Sequence, residues 1–351
     1  MERYDHGGDI FSRRVELDFS VNVNPLGMPP AVRQALIEGI DSFASYPDPQ
    51  CRALRAALAQ RHSCSPARIL CGAGAADLII RLCLVRRPRR VLVCAPTFSE
   101  YEKAALLSGA DVVYHRLFEE NNFDLGEDFL DALKDSVDMV FLCSPNNPTG
   151  RLIPQDFLAE VARICQKRGI LLAVDECFLS FTDAPSIRLL IAQNPSLIVI
   201  DAFTKMYAIA GLRLGYIMSS NEDLLSRVEA FGQSWSVSAP AQTAGLAALE
   251  CGEEWTRKTR IVTAAERRFV SEGLALLGMN VFDGAANYIL FKSPAALYEP
   301  LLARGILIRS CANYTGLDAS FYRVGVKMRR DNERLLDELR AIVGLQSAND
   351  Q

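Results

Sequence analysis

The sequence predicts an α/β protein with two lobes: a large lobe built on a mainly parallel sheet flanked by helices, and a smaller α+β lobe. Its 351 residues, 50% of them apolar, are enough to bury a large core, and the usual length of about 100–200 residues per domain suggests two lobes. Apolar runs that alternate with helical segments then indicate the sheet, because strands buried on both faces and separated by helices are parallel.

Apolar, β-branched runs predict the strands of the large lobe. Ligands of such sheets gather outside the carboxyl ends of the strands, so we expect the chemistry in the residues just after each run. The strand candidates are RVLVCAP (90–96), DMVFLCSP (138–145), GILLAVDE (169–176) and SLIVIDAF (196–203), and FLAEVARICQKRG (157–169) has the period of a helix.

The later part of the chain changes character. A long helical stretch from about Arg257 leads to shorter strand candidates and to a charged closing helix. We expect residues 1–40 to form an N-terminal arm and part of the small lobe, 41–240 the large lobe and 241–351 the small C-terminal lobe. The strand candidates of this part are 287–293, 305–311 and 321–327, and the closing helix is 330–343.

Charge and composition exclude several classes of function. The net charge of −4 gives no basic footprint for nucleic acid, and a solvated loop explains the one basic run, Arg86 to Arg90. No apolar stretch reaches the roughly 18–20 residues of a membrane span, so a cytoplasmic location is expected. The ten cysteines fall singly without a metal-ligand pattern, which predicts small core side chains in a reducing compartment and no metal site.

Glycines follow the first apolar run of the large lobe. In CGAGAAD, Gly72 and Gly74 let the backbone approach an anion at the start of a helix, where free N–H groups point outward. A simple Gly-rich turn remains the alternative, because the segment matches neither GxGxxG nor a Walker loop.

Two further strand ends carry polar side chains. In NNPTG, Asn147 precedes a proline, which restricts its backbone and directs its amide, although an ordinary Asn-Pro turn would look the same. Asp175 directly follows a buried run and needs a cationic or hydrogen-bonding partner to offset its desolvation, unless it only caps the next helix.

Lys205 follows the last of these runs, among small and apolar neighbours, with Thr204 beside it and Arg213 eight positions later. An amine in such surroundings has a lowered pKa, which supplies the neutral nucleophile that Schiff-base chemistry requires. A lysine whose side chain extends to the surface is the alternative.

One ligand would use all of these groups. The glycine turn suits a phosphate, the amide a phenolic oxygen, the carboxylate a protonated ring nitrogen and the amine an aldehyde. Pyridoxal 5′-phosphate carries all four, and a carboxylate at its ring nitrogen keeps the ring cationic and able to withdraw electrons from Cα.

The motifs NNPTG, DE, the lysine and GLRLGY resemble those of fold-type I aminotransferases of class I and II over nearly the whole chain. The resemblance implies a seven-stranded type of sheet, pyridoxal phosphate as cofactor and a homodimer with shared active sites. Lys205 would form the covalent link and move protons, and Asp175 would pair with the ring nitrogen. The other cofactor-binding residues that it implies are Asn147 at the ring hydroxyl, Ala73, Gly74, Thr204 and Arg213 at the phosphate, Phe98 (or else Tyr101) stacked on the ring, and Tyr46 at the partner subunit's cofactor.

Two kinds of family member resemble the chain, the histidinol-phosphate aminotransferases and the L-threonine-O-3-phosphate decarboxylases of cobalamin biosynthesis. Phe178 stands where the aminotransferase pattern has a tyrosine, and both the N-terminal segment with HGGDI and the segment 305–327 resemble the decarboxylases. We therefore expect a phosphorylated amino acid, threonine phosphate or serine phosphate, to lose CO₂. The substrate-binding residues implied are His6, Gly7, Asn22, Asn147, Arg309 and Arg323, with Arg323 clamping the carboxylate.

Alternatives stay open at two levels. Transamination of histidinol phosphate with 2-oxoglutarate would use the same cofactor residues, and a catalytically silent cofactor-binding regulator is a third interpretation. The regulator is disfavoured because such proteins carry an added DNA-binding domain, whereas this sequence begins with the substrate arm. For the binders themselves, His6 could be a turn residue, Asn22 a loop cap and Arg309 a surface charge.

Overall fold

Strands and helices alternate along residues 6–134 and 136–349, the part of the chain that the computed structural model describes. The strands are β1 (Leu17–Asp18), β2 (Ile69–Gly72), β3 (Arg90–Ala95), β4 (Asp111–Arg116), β5 (Met139–Cys143), β6 (Leu171–Asp175), β7 (Leu197–Ala202), β8 (Gly215–Met218), β9 (Asn280–Phe282), β10 (Tyr288–Lys292), β11 (Ile306–Leu307), β12 (Arg309–Ser310) and β13 (Phe321–Gly325). The α-helices are α1 (Pro30–Glu38), α2 (Arg52–His62), α3 (Ala75–Arg86), α4 (Ser99–Leu107), α5 (Phe129–Ala132), α6 (Gln155–Arg168), α7 (Phe203–Met206), α8 (Glu222–Phe231), α9 (Ala239–Glu250), α10 (Gly252–Leu276), α11 (Tyr298–Ala303) and α12 (Arg329–Asn349).

The central feature is a seven-stranded sheet in the order β2-β8-β7-β6-β5-β3-β4. Strands β3 to β7 pair in parallel, and β8 alone runs antiparallel to its neighbours β2 and β7. The α/β fold class with a mainly parallel sheet is therefore confirmed.

Successive residues of the central strands pack into two different cores. Leu172 and Val174 of β6 belong to the cluster on one face of the sheet, and Ala173 between them belongs to the cluster on the other face. Side chains alternate across a strand, so a strand covered on both sides must be apolar at every position. This is why the parallel strands stand out in the sequence as continuous apolar runs.

One predicted strand is divided between two sheets. The run from Gly305 to Cys311 forms β11, which pairs in parallel with β1, and then β12, which pairs antiparallel with β13. The chain changes its partner at Ile308, which is buried between the two short strands. Its apolar pattern is continuous because both pieces are buried, so the sequence gives no sign of the break.

The N-terminal segment packs against the C-terminal part of the chain. Phe19 is buried in a third core with Ile306 and Val324, beside the antiparallel sheet β12-β13-β10-β9. Helix α9 packs on α1 and α2. The division at residues 40 and 240 stays a prediction.

Cysteine burial agrees with the sequence. Cys71, Cys83, Cys94, Cys143 and Cys165 are buried and free, as expected for small apolar side chains. Among the helices of the described residues, none combines the length and apolarity that crossing a membrane would require.

Gly325 offers a test of how tightly the N-terminal segment fits. Its N–H donates to the carbonyl oxygen of Phe19 at 2.7 Å, and a Cβ on it would lie 2.3 Å from the carbonyl oxygen of Val21. We expect Gly325→Ala to lower the free energy of unfolding in urea by about 1–3 kcal/mol, the usual effect of overpacking. Gly344→Ala is the matched control, because a Cβ there meets open space on α12, and it should stabilise by roughly 0.5–1 kcal/mol. Equal stabilities for the two variants would contradict this packing.

Candidate active site

A cavity of about 450 Å³ opens where the central strands β5, β6 and β7 end. Its volume lies in the range of about 300–1,000 Å³ that small-molecule sites occupy. Side chains from the sheet, from α4, from the N-terminal segment and from the small sheet form its wall. The predicted residues that line it are His6, Gly7, Asn22, Phe98, Tyr101, Asn147, Asp175, Thr204, Lys205, Arg213, Arg309 and Arg323.

Asp175 lies at the end of β6 and is buried, with 4% of its surface exposed. The hydroxyl of Tyr101 donates to its Oδ2 at 2.7 Å, and the backbone N–H of Cys177 donates to its Oδ1 at 2.9 Å. Burial, followed by the charge of Asp175, raises the pKa of the Tyr101 hydroxyl well above its ordinary value, so this group keeps its proton. Each carboxylate oxygen therefore has a donor that fixes its position.

Lys205 stands in the short helix α7, which begins directly after β7. Burial, and next the charge of Arg323, lower the pKa of the Lys205 amine to about 8, although Asp175 acts weakly in the opposite direction. Its Nζ lies 6.0 Å from the ring centroid of Phe178. A substantial fraction of neutral amine is thus present near pH 8, which is the form that attacks a carbonyl carbon.

Asn147 connects the large sheet to the small sheet. Its Oδ1 accepts a hydrogen bond from Nη1 of Arg323 and lies 3.5 Å from the hydroxyl of Tyr314. Nη2 of Arg323 donates to the carbonyl oxygen of Ser20 at 2.8 Å. Two buried polar atoms of this wall, Nε of Arg323 and Oδ1 of Asn22, have no hydrogen-bond partner within the described residues. Such atoms are costly unless a bound polar group satisfies them, so they point to a ligand.

Two arginines face each other across paired strands. Arg309 of β12 lies directly opposite Arg323 of β13, and both are buried. Side chains at opposed positions lie on the same face, and like charges there repel. Nη2 of Arg309 donates to Oδ1 of Asn313 at 2.7 Å. An anionic ligand beside both groups would offset this repulsion. Because only 8% of the surface of Arg309 is exposed, the surface-charge interpretation of this residue was wrong.

The glycine turn is built differently from the expectation. The N–H of Ala73 donates to Oδ2 of Asp77 at 2.9 Å, and the N–H of Gly74 donates to the carbonyl oxygen of Gly72 at 2.8 Å. These two backbone groups are therefore engaged inside the turn, and neither Ala73 nor Gly74 lines the cavity.

The first turn of α3 lines the cavity in their place, through Ala75 and Ala76. Gly74 still matters to this arrangement, because its φ of +93° starts the helix and a Cβ on it would lie 2.8 Å from Nη2 of Arg213. The guanidinium of Arg213 thus sits at the positive end of α3, together with Thr204 in the same wall. A helix N-terminus beside an arginine is a favourable place for a phosphate group.

The two aromatic candidates lie at different depths. Phe98 lines the cavity, and its ring contacts the ring of Tyr101 edge to face at 5.6 Å. Tyr101 is stacked on Phe141 at 5.0 Å, behind Phe98. Tyr46 is 81% exposed, is stacked on Trp235 and is absent from the cavity lining, so its predicted place in a partner subunit's site stays a prediction.

The N-terminal segment reaches the cavity from the side. Nε2 of His6 lies 2.8 Å from Oε1 of Glu100, and Gly7 passes so close to Ser20 that a Cβ would lie 2.3 Å from the carbonyl oxygen of Ser20. His6 is therefore more than a turn residue, because its ring contacts a side chain of α4 in the cavity wall.

Several contributions to the site were not foreseen from the sequence. Tyr101 was considered only for stacking, although its hydroxyl binds Asp175, and the sequence TFSEY places it near Phe98 without revealing this contact. No separate sequence signal distinguished several other residues that also line the cavity, among them Ser20, Ala75, Ala76, Glu100, Lys103 and Tyr314.

Comparisons with known proteins place this arrangement in a family context. The family model described as "Aminotransferase class I and II" matches residues 14–339. The threonine-phosphate decarboxylase of Salmonella typhimurium is 38% identical over 96% of this chain and 96% of that protein. Among solved structures, the histidinol-phosphate aminotransferase of Clostridium acetobutylicum aligns with a TM-score of 0.86 and 30% identity, covering 93% of this chain and 99% of the other. The L-threonine-O-3-phosphate decarboxylase of Porphyromonas gingivalis aligns with a TM-score of 0.84 and 27% identity over the same shares.

The lowered pKa of Lys205 can be measured directly. In protein freed of bound small molecules, the rate of acetylation of Lys205 should rise with pH with a midpoint near 8, because only the neutral amine reacts. Arg323→Met should move the midpoint to higher pH, since removing a positive charge favours the ammonium form. Arg330→Met, at an exposed position of α12, is the control and should leave the midpoint in place. An unchanged midpoint in the Arg323 variant would show that this charge does not act on Lys205.

Proposed function

Because this chain belongs to the aminotransferase class I and II family, whose members depend on pyridoxal phosphate, we propose that it decarboxylates L-threonine O-3-phosphate. The products are CO₂ and 1-aminopropan-2-yl phosphate. The family match confirms the family and the cofactor that the sequence motifs predicted. The substrate, the residue roles and a place in cobalamin biosynthesis belong to the proposal.

The cavity residues fit the cofactor. The amine of Lys205, whose pKa is lowered, suits the aldehyde of the cofactor. The buried carboxylate of Asp175, which accepts two hydrogen bonds, suits the protonated ring nitrogen of the cofactor. The start of α3 and Arg213 suit its phosphate, and Phe98 presents an aromatic ring in the same wall. In the proposal these residues hold the cofactor together with Asn147 and Thr204, and Tyr46 serves the partner subunit of a homodimer.

The buried pair Arg309 and Arg323 is the observation that carries the choice of substrate. A phosphorylated amino acid brings a phosphate and a carboxylate to one small molecule, and these two anions match two guanidinium groups on adjacent strands. Asn22 with its unpaired Oδ1, His6 and Gly7 complete the proposed substrate wall. The likeness to two threonine-phosphate decarboxylases, one by sequence and one by structure, points the same way.

The arginine pair also bears on which bond breaks. When bound, pyridoxal phosphate accepts the electron pair of a bond broken at Cα. The bond that breaks is the one held perpendicular to the cofactor ring, so a decarboxylase must fix the carboxylate in that direction. If Arg309 and Arg323 bind the phosphate and the carboxylate of the substrate, the substrate can no longer rotate freely about Cα. After CO₂ leaves, Lys205 is the proposed donor of the proton that replaces it.

Transamination is the second candidate, and the structural likeness to a histidinol-phosphate aminotransferase favours it. Phe178 argues against it, because its ring lies near Lys205 where the aminotransferase pattern carries a hydroxyl donor. Histidinol phosphate also lacks the carboxylate that one of the two arginines would bind, although 2-oxoglutarate would supply carboxylates in the second half of that reaction.

The direct test is incubation of the cofactor-loaded protein with phosphothreonine and with phosphoserine while CO₂ and amine are measured. We expect CO₂ release without consumption of a 2-oxo acid. One methyl group in a pocket discriminates by only about 10–200-fold, so we expect phosphoserine to be a slower substrate. Amino transfer from histidinol phosphate to 2-oxoglutarate, with no CO₂ from either phosphoamino acid, would replace the proposal by the alternative.

Arg309→Gln should lower kcat/KM for phosphothreonine about 10–100-fold, since a hydrogen bond to a charged group contributes about 1.5–3 kcal/mol. Arg330→Gln removes an exposed charge from α12 and should leave kcat/KM unchanged. If both variants keep the activity of the unmodified protein, the proposed binding of the substrate by Arg309 together with Arg323 is wrong.

A further inference from the structure

Glu100 is an acid in the cavity wall to which the proposed reaction gives no role. It lies in the first turn of α4 and is buried, with 4% of its surface exposed. A carboxylate in this wall repels the phosphate and carboxylate of the proposed substrate. Its presence beside an anion site therefore requires an explanation in terms of its partners.

The partners of Glu100 are the side chains of His6 and Lys103. Nε2 of His6 lies 2.8 Å from its Oε1, and Nζ of Lys103 lies 3.1 and 3.2 Å from its two oxygens. The hydrogen bond with His6 is the largest cause that lowers the pKa of Glu100. All three residues line the cavity, so the Glu100 carboxylate offsets the charge of Lys103 and fixes the position of the His6 ring.

His6 is the point at which the N-terminal segment crosses to the large lobe. The following residues are held on the other side, where the N–H of Gly8 donates to Oγ of Ser20 at 2.7 Å. The carbonyl oxygen of Ser20 in turn accepts from Nη2 of Arg323 at 2.8 Å. Residues 6–8 thus bridge the cavity between Glu100 on α4 and the segment that contacts Arg323.

We propose that Glu100 is a positioning residue that anchors His6 and thereby holds the N-terminal segment over the cavity, where His6 binds the phosphate of the substrate. The binding of a substrate phosphate by His6 rests on the proposed function. The anchoring of His6 by Glu100 does not depend on it. The hydrogen bond to Glu100 at 2.8 Å fixes the position of the His6 ring in the cavity wall. Glu100 would therefore act on phosphorylated substrates through His6 without touching the reacting atoms.

Hydrogen exchange tests the anchoring without any substrate. In the cofactor-loaded protein, Glu100→Ala should raise the backbone amide exchange rates of residues 6–12 about tenfold, the effect of losing one charge-assisted hydrogen bond. Glu100→Gln should have a smaller effect, because its amide oxygen still accepts from His6 but carries no charge. Glu102→Gln is the matched control, since Glu102 lies on the same helix outside the cavity lining and should leave exchange unchanged. An unaltered absorbance spectrum of the bound cofactor shows that each variant is folded.

Steady-state kinetics tests the consequence for the substrate. Glu100→Ala should raise KM for phosphothreonine about tenfold with kcat little changed, and it should leave the much weaker turnover of unphosphorylated threonine unaffected. Equal losses on both substrates would overturn the link to the phosphate, because a general disturbance of the site does not distinguish them.

The two experiments separate the inference from the proposed function. Unchanged exchange of residues 6–12 in Glu100→Ala overturns the anchoring, even if phosphothreonine is decarboxylated. Faster exchange in that variant supports the anchoring, even if the unmodified protein releases no CO₂ and the proposed function fails.

Discussion

The hydrogen-bonded carboxylate of Asp175 is the interaction on which the rest of the site depends. A buried carboxylate is costly unless donors or a cation satisfy it, and the protein supplies the hydroxyl of Tyr101 and the N–H of Cys177. Because β5, β6 and β7 are parallel, their carboxyl ends bring Asn147, Asp175 and Lys205 to one edge of the sheet. The cavity chemistry thus follows from sheet topology, with α4 holding the central acid in place.

The small sheet and the N-terminal segment add the groups that recognise an anion. Arg309 and Arg323 oppose each other on paired strands, and Arg323 also bonds to Asn147 and to the carbonyl oxygen of Ser20. The cofactor side and the substrate side of the cavity are therefore connected through Arg323, whose charge also lowers the pKa of Lys205. A substitution of Arg323 is therefore expected to alter both the binding of the substrate and the protonation of the Lys205 amine.

Much of the fold and site could be predicted because buried parallel strands leave continuous apolar runs, and the residues after them must meet at one edge. What could not be predicted depends on contacts between distant segments. The edge strand β4 is partly exposed and carries no such run, and the division at Ile308 leaves no mark in an apolar stretch. Likewise, the bond from Tyr101 to Asp175 joins residues 74 positions apart and follows from tertiary packing, not from local sequence.

Borohydride reduction followed by peptide mass spectrometry tests most directly whether Lys205 is the covalent anchor of pyridoxal phosphate. Protein loaded with the cofactor, reduced and digested should carry the pyridoxyl group on the peptide that contains Lys205. The substitution Asp175→Ala should weaken cofactor retention without moving the label, because it removes the partner of the ring nitrogen but keeps the amine. A label on another lysine, or a protein that stays colourless with added pyridoxal phosphate, would contradict the site as described.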